Sequence, residues 1–158
     1  MRKVLSLFLT ASLGGALAAG PVMTMGKNVT LDLEAGQGMV NHGLNFNGGY
    51  KGNKTFTVPL GARVTVKFHN AGMMPHSFVV TKGGPAPKDA EVEDAVFRGA
   101  YGPAEVEKGL KPGGTLTATF TANKAGAYYI VCGMPGHAPG GQYINLVVSK
   151  TAKTASFQ

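Results

Sequence analysis

Ala62-Arg63-Val64-Thr65-Val66-Lys67-Phe68-His69 decides how the rest of the chain is read. Val64, Val66 and Phe68 fall on one side of an extended chain, and Arg63, Thr65 and Lys67 on the other. That period of two belongs to a strand with one buried face. Upstream, Pro59-Leu60-Gly61 makes a turn, and residues 55–58 and 28–34 continue the pattern, with Val29, Leu31 and Leu33 on one side. Residues 41–50, carrying Leu44 and Phe46 up to Gly48-Gly49, are also predicted as strand. Downstream, strands are expected over 77–81, 115–121, 126–132 and 142–149.

About eight strands, mostly antiparallel, imply an all-β fold, a Greek-key β-sandwich. Between two of them, 82–114 changes composition. It opens Gly/Pro-rich, holds Asp89, Glu91, Glu93 and Asp94, and has room for one or two short helices, for example over 103–108. It has too few apolar residues for a core of its own, so it reads as an inserted excursion within one domain. The polar tail from 150 is expected to fray. There is no internal repeat.

The totals agree with a single packed domain. Of 158 residues, 44% are apolar and only 15% charged, which excludes a disordered chain. The 24 glycines show no Gly-X-Y period, which excludes a collagen-like one. Residues 1–19 stand apart: Arg2 and Lys3, then an apolar stretch interrupted by Gly14-Gly15, then Ala16-Leu17-Ala18 at a peptidase-type spacing. They are expected to be a signal peptide, leaving 20–158 as the exported domain, periplasmic or otherwise extracytoplasmic. The alternative is an uncleaved anchor, which would then be the chain's membrane contact. Without Arg2 and Lys3 the formal charge falls from +7 to +5. The basic residues are scattered, so they read as a solvated surface and not as a nucleic-acid site.

One cysteine in an exported chain cannot form an internal disulfide, so Cys132 needs another explanation. Two loops supply one. Pro75-His76-Ser77 precedes a strand, and Cys132-Gly-Met-Pro-Gly-His137-Ala-Pro-Gly-Gly-Gln142 joins the last two. Cys132 and His137, with four residues between them in a stiff Gly/Pro turn, can face one point, and His76 can complete a His₂Cys set. Soft thiolate favours Cu(I) and imidazole accepts either state, so this set suits a blue-copper electron-transfer centre.

These motifs, with Asn45-Phe46-Asn47-Gly48, resemble the cupredoxins and more narrowly the sulfocyanins, with the rusticyanins more distant; the resemblance spans roughly 29–148. It implies one Cu(I)/Cu(II) ion held by His76, Cys132 and His137. Relatives place an axial methionine five residues after the second histidine, where this chain has Gln142. The resemblance therefore implies Gln142 as the fourth ligand, as in stellacyanin-like proteins, and a lowered potential. It also implies an electron carrier, not an enzyme, expected as a monomer serving redox proteins of cytochrome or terminal-oxidase type. The alternatives are a copper chaperone or storage protein, or a copper oxidoreductase subunit. An oxidoreductase needs a second, His-rich site, and only His42 and His69 remain.

Asn70 and Ser77 are expected to tie the ligand loops together, although Asn70 also suits a plain turn. Met134 is expected to point outward. With Met73, Met74, Pro135 and Pro139 it forms either an apolar docking rim or simple loop packing. The acidic run 89–94 reads as a solvated helix face, with docking of a basic partner as the alternative.

Overall fold

Alternating apolar positions give each strand one dry face, and two sheets of such strands bury those faces against each other. The computed structural model describes residues 20–158, so the signal peptide expected over 1–19 lies outside the described residues. The strands are β1 (Val22–Met25), β2 (Asn28–Ala35), β3 (Thr55–Pro59), β4 (Arg63–Asn70), β5 (Phe78–Lys82), β6 (Tyr101–Gly102), β7 (Thr115–Thr121), β8 (Gly126–Val131), β9 (Tyr143–Ser149) and β10 (Ser156–Phe157). One sheet runs β1-β2-β4-β7 and the other β10-β3-β9-β8-β5-β6. Most pairs are antiparallel, but β2 with β4 and β3 with β9 are parallel. Parallel neighbours need a crossover. For β2 and β4 it is supplied by β3, which lies in the opposite sheet.

The core sits between the sheets. Val29, Leu31 and Leu33 of β2, Val64, Val66 and Phe68 of β4, and Ile144, Leu146 and Val148 of β9 are all buried there. Phe68 and Phe78 meet across the sheets with ring centroids 5.4 Å apart. The excursion contributes Phe97, whose ring lies 5.3 Å from Phe120 and 4.9 Å from Tyr128. It borrows the domain's core, as its composition requires.

Three stretches differ from the sequence expectation. Residues 41–50 are not a strand. Asn41 and His42 take positive φ (47° and 57°), and Val40–Gly43 forms a 3-10 turn. Asn45 secures that bend by donating its amide to Gln37 O and Val40 O, so Phe46 keeps only isolated bridges to Ala35 and Gly49. Residues 103–108 are a turn and not a helix, because Leu110 must come back to pair with His76. The excursion's helical piece is a single 3-10 turn, Val92–Asp94. Finally, the polar tail does not fray: β10 pairs with β3, and Phe157 packs on the buried Phe56 at 4.4 Å. Phe157→Ala is expected to cost roughly 1–2 kcal/mol, below the 3–5 typical of a fully buried phenylalanine because Phe157 is half-buried. Urea unfolding of the pure protein reads this directly.

Candidate metal centre

His76 is buried at the entry to β5, and its backbone is locked in both directions by Leu110 (N–H to O 3.1 Å, O from N–H 2.7 Å). Cys132 follows β8 and Gln142 precedes β9, and both are fully buried. The loop between them closes on itself: Cys132 N–H donates to Gln142 O at 3.1 Å, Gln142 N–H to His137 O at 2.9 Å, and His137 N–H to Met134 O at 3.1 Å. Sequence spacing alone suggested that this turn could aim two side chains at one point. In the structure, ligand atoms of His76, Cys132 and His137 lie within 4.8 Å of one another.

Gln142 joins them. Its Oε1 stands 3.0 Å from His137 Nδ1, which is 3.5 Å from Cys132 Sγ. The amide's orientation follows from its other end, since Nε2 donates to Asn45 O at 3.1 Å. A nitrogen must face that carbonyl, so the oxygen faces the cluster. Asn45 is thus a residue of the site whose role the sequence reading left unassigned. Its only signal there was the Asn45-Phe46-Asn47-Gly48 motif.

The thiol is held by Ser77, whose backbone N–H reaches Sγ at 3.5 Å. Ser77 Oγ accepts from Gly133 N–H at 2.9 Å, joining the two loops. Buried Asn70 does not reach the Cys132–Gln142 loop; it ties the His76 loop to Leu110, donating to Met74 O (2.8 Å) and Leu110 O (2.7 Å) and accepting from Gly72 N–H (2.9 Å). On the far side of His76 two bare backbones close in. A Cβ added at Gly36 would stand 2.8 Å from His76 Nε2, and one at Gly72 2.9 Å from it.

Met134 does not point outward. It is half-buried against the core, its sulfur so close to Gly109 that a Cβ there would stand 2.8 Å away. Met73 (91% exposed) and Met74 (38%) do face solvent, joined by Met39 (77%) and Val40. The 3-10 turn carrying Val40 is fastened to the ligand loop through Asn41, which donates to Gly140 O at 3.1 Å. His42 is exposed on that turn, and His69 pairs with Glu34 at 3.8 Å on an outer sheet face. Neither reaches the cluster.

Burial keeps the site uncharged. Burial, and then the neighbouring His137, push the His76 pKa down to about 4. Burial likewise lowers that of His137 and raises that of the Cys132 thiol. Both imidazoles are therefore neutral at pH 7 and free to donate lone pairs, whereas the thiol gives up a proton on binding metal. Both ring nitrogens of His76 are buried and without a hydrogen-bond partner. A buried donor left unpaired costs about 1–3 kcal/mol, and a metal at Nδ1 would satisfy one of the two atoms. The donor set fits copper: a thiolate, two imidazoles and a weak amide oxygen.

A two-sheet sandwich with such a set at the end of the last two core strands defines a cupredoxin. The sulfocyanin (SoxE) domain profile matches residues 18–157. Sulfocyanin of Sulfolobus acidocaldarius is 30% identical over 82% of this chain and 67% of its own length. Rusticyanin of Acidithiobacillus ferrooxidans is 41% identical over 62% of this chain and 51% of its own, so the match spans about half of that relative. The solved structure of dithionite-reduced auracyanin from Roseiflexus castenholzii superposes with a TM-score of 0.57 at 30% identity, covering 76% of this chain and 96% of that one. The chain belongs to the sulfocyanin family, and with it to the blue copper electron-transfer proteins.

Proposed function

We propose that His76, Cys132 and His137 hold one copper ion, that Gln142 Oε1 is its weak axial ligand, and that the chain carries single electrons between redox proteins outside the cytoplasm. Support comes chiefly from His76, a fully buried imidazole with neither nitrogen partnered. Gly36 and Gly72 crowd its Nε2, which leaves Nδ1 for the metal. Copper bound there supplies a one-electron Cu(II)/Cu(I) couple.

The chain's own groups suit that couple. The closed ligand loop and the Ser77 and Asn70 bonds hold the donors in place, so little rearrangement accompanies a change of charge. Buried Cys132, His76 and Gln142 exclude water, while half-buried His137 leaves one edge near the surface. Exposed Met39, Val40, Met73 and Met74 give a partner a small apolar landing area without a large interface. The signal peptide expected over 1–19 supports export. A chaperone would need exchangeable, accessible ligands, and two of these three are fully buried.

Titration of the metal-free protein with Cu(II) is expected to saturate at one equivalent. Binding undiminished in both His76→Ala and His137→Ala would contradict the assignment. Gln142→Met replaces a hard oxygen by a soft thioether that favours Cu(I). It is expected to raise the reduction potential by about 60 mV or more, tenfold in a one-electron equilibrium. An unchanged potential in a spectroelectrochemical titration would mean that Gln142 is not a ligand.

A further inference from the structure

Asp89 lies in the excursion, 47 positions before Gly136, yet its Oδ1 accepts the Gly136 backbone N–H at 2.8 Å. Gly136 immediately precedes His137. Next to Asp89, Ala90 is buried in a small apolar cluster with Val79, Val106, Val131 and Ala138. The Ala90 carbonyl also comes so near Gly133 that a Cβ added there would stand 2.8 Å from it. The excursion thus grips the ligand loop at two points, just after Cys132 and just before His137. Among the described residues no other carboxylate bonds this loop. Asp94 and Glu91 serve the 3-10 turn between them instead.

We propose that Asp89 is a positioning residue of the metal centre, fixing the peptide that carries His137 and, through its charge, lowering the reduction potential of the copper held there. This rests on the copper reading above. A copper–thiolate centre carries one more positive charge oxidised than reduced, so a fixed carboxylate stabilises the oxidised form more. Asp89 is exposed, so salt weakens the charge effect but leaves the hydrogen bond.

The test uses the copper-loaded chain with Asp89→Asn, Asp89→Ala and, as a control of equal charge change in the same excursion, Glu93→Gln. Asp89→Asn keeps an acceptor oxygen and removes the charge. It is expected to raise the potential by about threefold in the one-electron equilibrium constant, about 30 mV, with the absorption spectrum unchanged and the shift smaller at high salt. Glu93→Gln is expected to leave the potential in place. Asp89→Ala should in addition speed amide exchange at Gly136 in the metal-free protein. Equal potentials for Asp89→Asn and Glu93→Gln would overturn the charge effect, and unaltered exchange at Gly136 would overturn the positioning role. The exchange experiment needs no metal, so it tests the Asp89 contact even if the loaded protein lacks a thiolate–copper band, which would contradict the copper reading itself.

Discussion

Cys132→Ser is expected to abolish the intense thiolate-to-copper absorption of the loaded protein and to weaken Cu(II) binding by more than about 100-fold, beyond the 10–100-fold typical of losing a residue that merely supports a ligand. The sulfur is the one soft donor among the proposed ligands and would be the source of the charge-transfer transition. A serine hydroxyl is harder, shorter and stays protonated. The fold should survive, because the site around Sγ is already polar: Ser77 offers its backbone N–H at 3.5 Å and its hydroxyl at 3.8 Å. Far-ultraviolet circular dichroism should therefore match the parent while the visible band is gone. A retained band would place the thiolate–metal bond elsewhere, and Cys132 is the chain's one cysteine.

The metal-free protein is expected to lose stability between pH 6.5 and 4, by up to about 3 kcal/mol through His76 alone. Burial and His137 hold the folded pKa near 4, against an ordinary value of 6.5. Between those values the unfolded chain binds a proton that the folded chain refuses. Stability is therefore full above pH 6.5 and falls as the pH drops through 4. His137, also lowered by burial, adds in the same direction. At the alkaline end the sign reverses for Cys132: its raised thiol keeps a proton that the unfolded chain releases, so stability declines as the pH rises past the ordinary thiol value. Bound copper competes with protons at the imidazoles and should move the acid loss to lower pH. Denaturant unfolding across pH, with and without copper, measures both effects. His76→Leu should flatten the metal-free acid limb, and an equally steep limb in that variant would refute the assignment.

β4 and β9 were legible because their buried faces alternate, with period two over seven or eight residues. The cluster of His76, Cys132 and His137 was legible because these residue types are rare here and their loops are rich in Gly and Pro. The failures have physical causes. In 41–50 the apolar spacing of Leu44 and Phe46 mimics a strand, but Asn41 and His42 adopt positive φ and Asn45 satisfies the bend with its own amide. The tail is polar except for Ala152, Ala155 and Phe157, and one aromatic seated on Phe56 suffices to anchor it. Met134 looked like a loop residue free to face water, but the excursion supplies Gly109 as a seat for it. Asp89 looked like one member of a solvated acidic run, because its partner is a backbone N–H 47 residues away. Contacts of that range leave no periodicity to read.

The copper centre is tested most directly by the visible and electron paramagnetic resonance spectra of the purified protein loaded with Cu(II). His76, Cys132, His137 and Gln142 acting together predict an intense thiolate-to-copper band and the narrow copper hyperfine splitting of a blue site. A colourless Cu(II) adduct with a tetragonal spectrum, displaced equally well by zinc, would contradict the account.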